Sequence, residues 1–179
     1  MKDEDIWVLA DISGKAARRA IVKTPGVVER WTTVSRDGRW LAYGSNELGR
    51  FDVYVQSYPD LGRRQSVSVG GGECPLWNPS GNELFFLTPP DKAGERYMMA
   101  VAMGSGSEGR PGTPQPLFAF KDADLGFYSE PMVGYDVAPD GRSFYTTQVI
   151  PAPPHPPVTH IHLILNFVED VKAKVSRGK

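Results

Sequence analysis

Apolar, β-branched and aromatic residues fall in short runs along most of the chain, separated by clusters of Gly, Pro, Asn and Asp. The runs alternate, or are solidly apolar, and helical spacing is nearly absent before the end; this is the pattern of an antiparallel all-β chain. It predicts two leading strands, Ile6–Ala10 and Arg18–Val22, joined through Ser13-Gly14. A set of four follows at Trp31–Ser35, Trp40–Ser45, Phe51–Tyr58 and Arg64–Val69, and a second at Pro75–Trp77, Glu83–Leu87, Arg96–Met103 and Pro116–Phe120. A third set has Tyr135–Ala138, Ser143–Val149 and His160–Phe167. Lys121–Val133 reads as an insertion, Gly104–Gly109 as linker-like, and Pro151–Pro157 as stiff and extended because each proline fixes φ. Only Val168–Val175 suggests a helix, with acids early and lysines late, as the helix dipole favours. The 179 residues thus divide into an orphan strand pair (5–25), two four-stranded units (26–70 and 71–120), an insertion with an incomplete unit (121–167) and a short helix (168–176).

One pattern recurs inside these units. Ser35-Arg-Asp-Gly-Arg-Trp-Leu-Ala-Tyr43, Asn78-Pro-Ser-Gly-Asn-Glu-Leu-Phe-Phe86 and Ala138-Pro-Asp-Gly-Arg-Ser-Phe-Tyr-Thr146 are each a turn followed by an aromatic-rich strand. Gly38 and Gly81 stand 43 residues apart, within the period of about 40–45 expected when each repeat is one four-stranded propeller blade. Gly141 follows 60 residues after Gly81, so the third copy comes after the insertion. Asp37, Gly38, Gly81, Asp140 and Gly141 are read as turn residues: Asp accepts local backbone N–H bonds, and Asp-Gly is a strong hairpin signal.

The first and third copies resemble the S-P-D-G-[RK]-x-[IL]-[AV]-[FY] core of TolB-type, WD40-like (PD40) propeller repeats. Arg36 replaces the usual proline in the first, and Ser80 the aspartate in the middle copy. Asn46-Glu-Leu-Gly-Arg-Phe-Asp-Val-Tyr-Val55, the Gly70-Gly-Gly72 turn before Pro75-Leu-Trp77, and Ile164-Leu-Asn-Phe-Val-Glu-Asp170 are similar to the C-terminal part of propellers appended to bacterial serine/threonine kinases. The resemblance covers Asp5 to about Lys174. It implies the C-terminal half of a usually six-bladed propeller, a scaffold that binds proteins or peptides, and it transfers no catalytic residue. A half-ring exposes an apolar face at each end, so the expectation is a homodimer in which two chains restore six blades.

Charge removes one class of partner. The net charge is −1 and the pI about 6.3, without the basic field that neutralises phosphates, so no nucleic-acid partner is expected. Lys15, Arg18, Arg19 and Lys23 follow Asp3, Glu4, Asp5 and Asp11 and read as a solvated hairpin. The longest apolar run, Ile161–Val168, is far shorter than the roughly 20 residues of a membrane helix. The acidic start shows no export signal, and the chain as written reads as cytoplasmic. A single cysteine, Cys74, excludes an internal disulfide and a cysteine-based zinc cluster; followed by Pro75, Leu76 and Trp77, it reads as a small buried hydrophobe.

Candidate chemistry is restricted to three histidines, His155, His160 and His162. His160 and His162 share one strand face and offer two nitrogens to a metal, but a third ligand is missing; no metal or cofactor is expected. The enzymatic alternative is a simple carboxylic ester hydrolase in which a serine works with His160 or His162 and a loop aspartate. No Gly-x-Ser-x-Gly elbow is present, and Ser176-Arg-Gly-Lys179 occupies the last residues. Neither glycine-rich stretch has the lysine and helix of a phosphate loop. Trp7, Trp31, Trp40 and Trp77 read as packing between sheets.

Overall fold

A computed structural model describes residues 3–9, 17–79, 81, 83–104, 109–148 and 150. The described residues are all-β, without a helix. Two strands lead, β1 (Ile6–Leu9) and β2 (Arg18–Val22), paired antiparallel. Next comes a four-stranded antiparallel sheet in chain order: β3 (Glu29–Val34), β4 (Trp40–Ser45), β5 (Asp52–Ser57) and β6 (Gln65–Ser66). A second meander has β7 (Glu73–Trp77), β8 (Glu83–Leu87), β9 (Glu95–Ala102) and β10 (Gln115–Lys121). Two hairpins follow, β11 (Tyr128–Ser129) with β12 (Met132–Val133), and β13 (Tyr135–Val137) with β14 (Phe144–Thr146). No sheet closes on itself. The proline run, the strand expected at His160–Phe167 and the helix expected at Val168–Val175 lie outside the described residues.

The side-chain period of two explains the layering. On β4, Trp40 and Ala42 join Val53, Val55 and Val67 against Trp77, Leu84, Phe86, Val101 and Met103 of the second sheet. Leu41 and Tyr43, on the opposite face, pack with Tyr54 against Ile6 and Val22 of the leading pair. On β8, Phe85 and Leu87 face away from the first sheet and meet Phe127, Tyr135 and Val137. The order in space is leading pair, first sheet, second sheet, then the two hairpins. β4 is therefore buried along its whole length, and its first four residues are a continuous apolar and aromatic run instead of alternating.

The two sheets repeat each other in backbone detail. The first strand of each carries a register shift against the second, between Arg30 and Thr33 in one and between Glu73 and Leu76 in the other. Inside each irregularity sits a non-glycine residue in the left-handed region, Trp31 at φ 54° and Cys74 at φ 52°, again 43 positions apart. The Trp31 backbone lays its ring over Gly44, where a Cβ would come within 2.6 Å of ring carbon. The first strands adjoin: the Trp77 indole N–H donates to Thr33 O at 3.3 Å, and the Tyr135 hydroxyl to Cys74 O at 2.7 Å.

Three differences separate the structure from the sequence expectations. β6 is only Gln65–Ser66, because left-handed Gly70 and Gly71 turn the chain toward the second sheet just beyond Val67. β14 ends at Thr146 instead of Val149. The insertion contains the hairpin β11–β12, whose two-residue strands are too short to show a period.

Candidate functional site

The three turn copies lie along one rim. In each, the amide of the leading residue donates to the carbonyl five positions on, Ser35 to Trp40, Asn78 to Glu83 and Ala138 to Ser143, at 2.8–2.9 Å. The leading carbonyl accepts the N–H of Gly38, Gly81 or Gly141. Gly38 and Gly141 sit at φ 71° and 70°, where a side chain is strained. Asp37 Oδ1 accepts the Arg39 amide at 3.1 Å and the Ser35 hydroxyl at 2.7 Å, and Asp140 Oδ1 accepts the Arg142 amide at 3.0 Å. The Ser35 hydroxyl, the Arg39 amide and the Arg39 guanidinium hold the Asp37 carboxyl down to about 2. Arg36 Nη1 donates to Pro79 O at 2.8 Å, and Asn78 Nδ2 to Gly141 O at 3.4 Å, so each turn is tied to the next.

A polar cluster occupies the opposite rim. Arg96, buried at the start of β9, donates Nε to Asp122 Oδ2 at 2.7 Å and Nη1 to Glu73 Oε2 at 2.6 Å and to Thr88 O at 2.9 Å. Its guanidinium lies 4.3 Å from the Tyr128 ring centroid. Burial pushes the Glu73 carboxyl above its ordinary range, and Arg96 opposes the shift. Arg30, at the β3 position equivalent to Glu73, bridges Glu4 and Glu130. The cluster ties the insertion and the N-terminal segment to the first strands of both sheets, a structural role.

A cleft of about 690 Å³ opens on the turn-bearing rim. Its walls are Trp40, Ser57, Gly62, Arg63, Arg64, Gln65 and Ser66 of the first sheet and its β5–β6 loop, and Arg110 of the β9–β10 connection. The loop is built rigidly: Ser57 Oγ donates to Asp60 O at 2.8 Å and accepts the Gly62 amide at 2.9 Å, and Gln56 Nε2 donates to Gly62 O at 3.0 Å. Gln65 Nε2 reaches Gly109 O at 3.3 Å, joining the two sheets behind the cleft. Arg64 pairs with Glu47 through both terminal nitrogens and stacks 4.3 Å from the Tyr54 ring centroid. Arg63 and Arg110 are exposed, with no hydrogen-bonding or ionic partner among the described residues.

His160 and His162, the candidate catalytic bases, lie outside the described residues, as does His155. Among those described, no three His, Cys, Asp or Glu side chains are grouped to hold a metal, and no helix is long and apolar enough to cross a membrane. Cys74 is fully buried, with its thiol pushed up to about 12 by burial, so the thiolate nucleophile is suppressed. Trp31, Trp40 and Trp77 are core residues, whereas Trp7 is 48% exposed at the outer end of the stack. The arginine cleft went unread in the sequence, where Arg63-Arg64 and Arg110 are separated by a whole sheet. No family model matches the chain, and a search of curated proteins finds no relative.

Proposed function

We propose that this chain is a TolB-like half-propeller and works as a non-catalytic binding and assembly module for a protein or peptide partner. The observation that carries the reading is the repetition of one sheet, turn and left-handed strand irregularity included, at a 43-residue offset in two stacked sheets whose first strands adjoin. Stacked four-stranded meanders repeating at this period are the construction of a propeller.

The ends of the stack support the assembly part. β1–β2 is only a pair, and Trp7 and Leu9 on it are 48% and 58% exposed. Among the described residues β13–β14 is also a pair, with Tyr145 64% exposed. A leading strand of one copy, Ile6–Ala10 or Arg18–Val22, completes the incomplete terminal unit of the other, and two such composite blades with four complete sheets make six. This arrangement is a closed two-fold dimer. Sedimentation equilibrium at micromolar concentration should report a dimer, and Trp7→Glu with Leu9→Glu should dissociate it; a stable, folded wild-type monomer overturns the reading. Its non-catalytic part fails if purified protein turns over p-nitrophenyl acetate and both His160→Ala and His162→Ala abolish the turnover.

A further inference from the structure

We propose that the arginine-lined cleft is a binding site for a small organic oxyanion, a phosphate or carboxylate group carried on a body of ligand size. The inference concerns a pocket formed within one chain and does not depend on assembly.

Arg63 and Arg110 line one cavity, and no carboxylate is among its described lining residues. Arg64, the third arginine of the lining, directs its guanidinium to Glu47 and the Tyr54 ring. Among the described residues neither Arg63 nor Arg110 has a carboxylate partner, in a chain whose net charge is −1. Like charges gathered around a concave wall repel, and an entering anion relieves that repulsion while gaining charge-assisted hydrogen bonds. Arginine suits this role because its planar fork matches the two oxygens of a phosphate or carboxylate.

Size argues for more than a bare ion. At about 690 Å³ the cavity lies in the range of organic-ligand pockets. Its lining includes Trp40, apolar and fixed in the core between the sheets. A ligand therefore meets an apolar residue and cationic ones, on loops held by the Ser57 and Gln65 hydrogen bonds.

Calorimetric titration of the full chain at low salt tests this, with AMP as the phosphate-bearing probe, citrate as the carboxylate-bearing probe and inorganic phosphate as the bare ion. At least one organic probe should bind saturably, and about tenfold or more tighter than inorganic phosphate. Arg63→Gln and Arg110→Gln should each weaken that binding about tenfold, as loss of one charge-assisted hydrogen bond requires. Both side chains are exposed, so the variants should melt like the parent, and Arg19→Gln on β2 should bind like it. The proposal is overturned by no saturable organic-anion binding, by inorganic phosphate binding as tightly as the organic probes, or by binding indifferent to both cleft substitutions. Which organic probe binds assigns phosphate or carboxylate recognition.

Discussion

Replacing Arg96 with methionine keeps the aliphatic stem and deletes the guanidinium at the centre of the rim cluster. Its side chain is 5% exposed, and that of Glu73, its closest carboxylate, 14%; Asp122 is 37% exposed. Removing one partner of a buried pair costs about 3–5 kcal/mol, because the remaining charge is left in a poor dielectric. The more exposed Asp122 pair adds no more than about 1 kcal/mol after solvent screening, and the bond to Thr88 O adds about 1 kcal/mol. The expected loss at pH 7.5 is about 5 kcal/mol, a large part of the 5–15 kcal/mol typical of a domain. Urea unfolding followed by tryptophan fluorescence measures it. The pH dependence is specific to the mechanism. Burial already raises the Glu73 carboxyl while Arg96 opposes it, so without Arg96 the carboxyl protonates at higher pH in the fold than in the unfolded chain. The variant's deficit is therefore greatest above its folded pKa and shrinks as pH falls toward 4. Glu73→Gln in the Arg96→Met background should recover much of the loss at pH 7.5. A loss below about 1 kcal/mol, or one that does not change with pH, refutes an energetically important buried pair.

Asp140→Ala should cost about 1 kcal/mol, the scale of a lost side-chain to backbone hydrogen bond, and Gly141→Val more, because φ 70° strains a β-branched residue; unchanged melting temperatures would refute the turn assignment. Gly44→Ala should lose about 1–3 kcal/mol from collision with the Trp31 ring, and a parent-like melt would show that the ring shifts freely. Glu29 is buried, neither carboxylate oxygen has a hydrogen-bond partner among the described residues, and its carboxyl is raised by desolvation, with the nearby Thr24 opposing. A raised acid favours the fold at low pH and loses that contribution as pH rises through the folded pKa, so Glu29→Gln should gain melting temperature at pH 8 and progressively less toward pH 4. An equal difference at both pH values would contradict this.

The periodicity of the chain determined its class and most of its strands, because in a strand the face of every side chain follows from its parity. β4 and β8 were legible to the residue, since Trp40–Ser45 and Glu83–Leu87 lie between a clear turn and a polar break. The turns were legible because Asp-Gly chemistry is local, acting within four residues. What parity could not supply was the partner of each face. Trp40 and Leu41 are adjacent apolar residues, yet one meets the second sheet and the other the leading pair, a division set by the order in which the sheets stack. The left-handed backbone at Trp31 and Cys74 had no local sign, because neither residue favours it; the repeated irregularity imposes it. The charge clusters were equally hidden. Arg96 meets Asp122 across 26 positions and Arg30 meets Glu130 across 100, and Arg110 reaches the cleft beside Arg63 from the other sheet. Such encounters depend on how sheets pack in three dimensions, which spacing along one chain does not record.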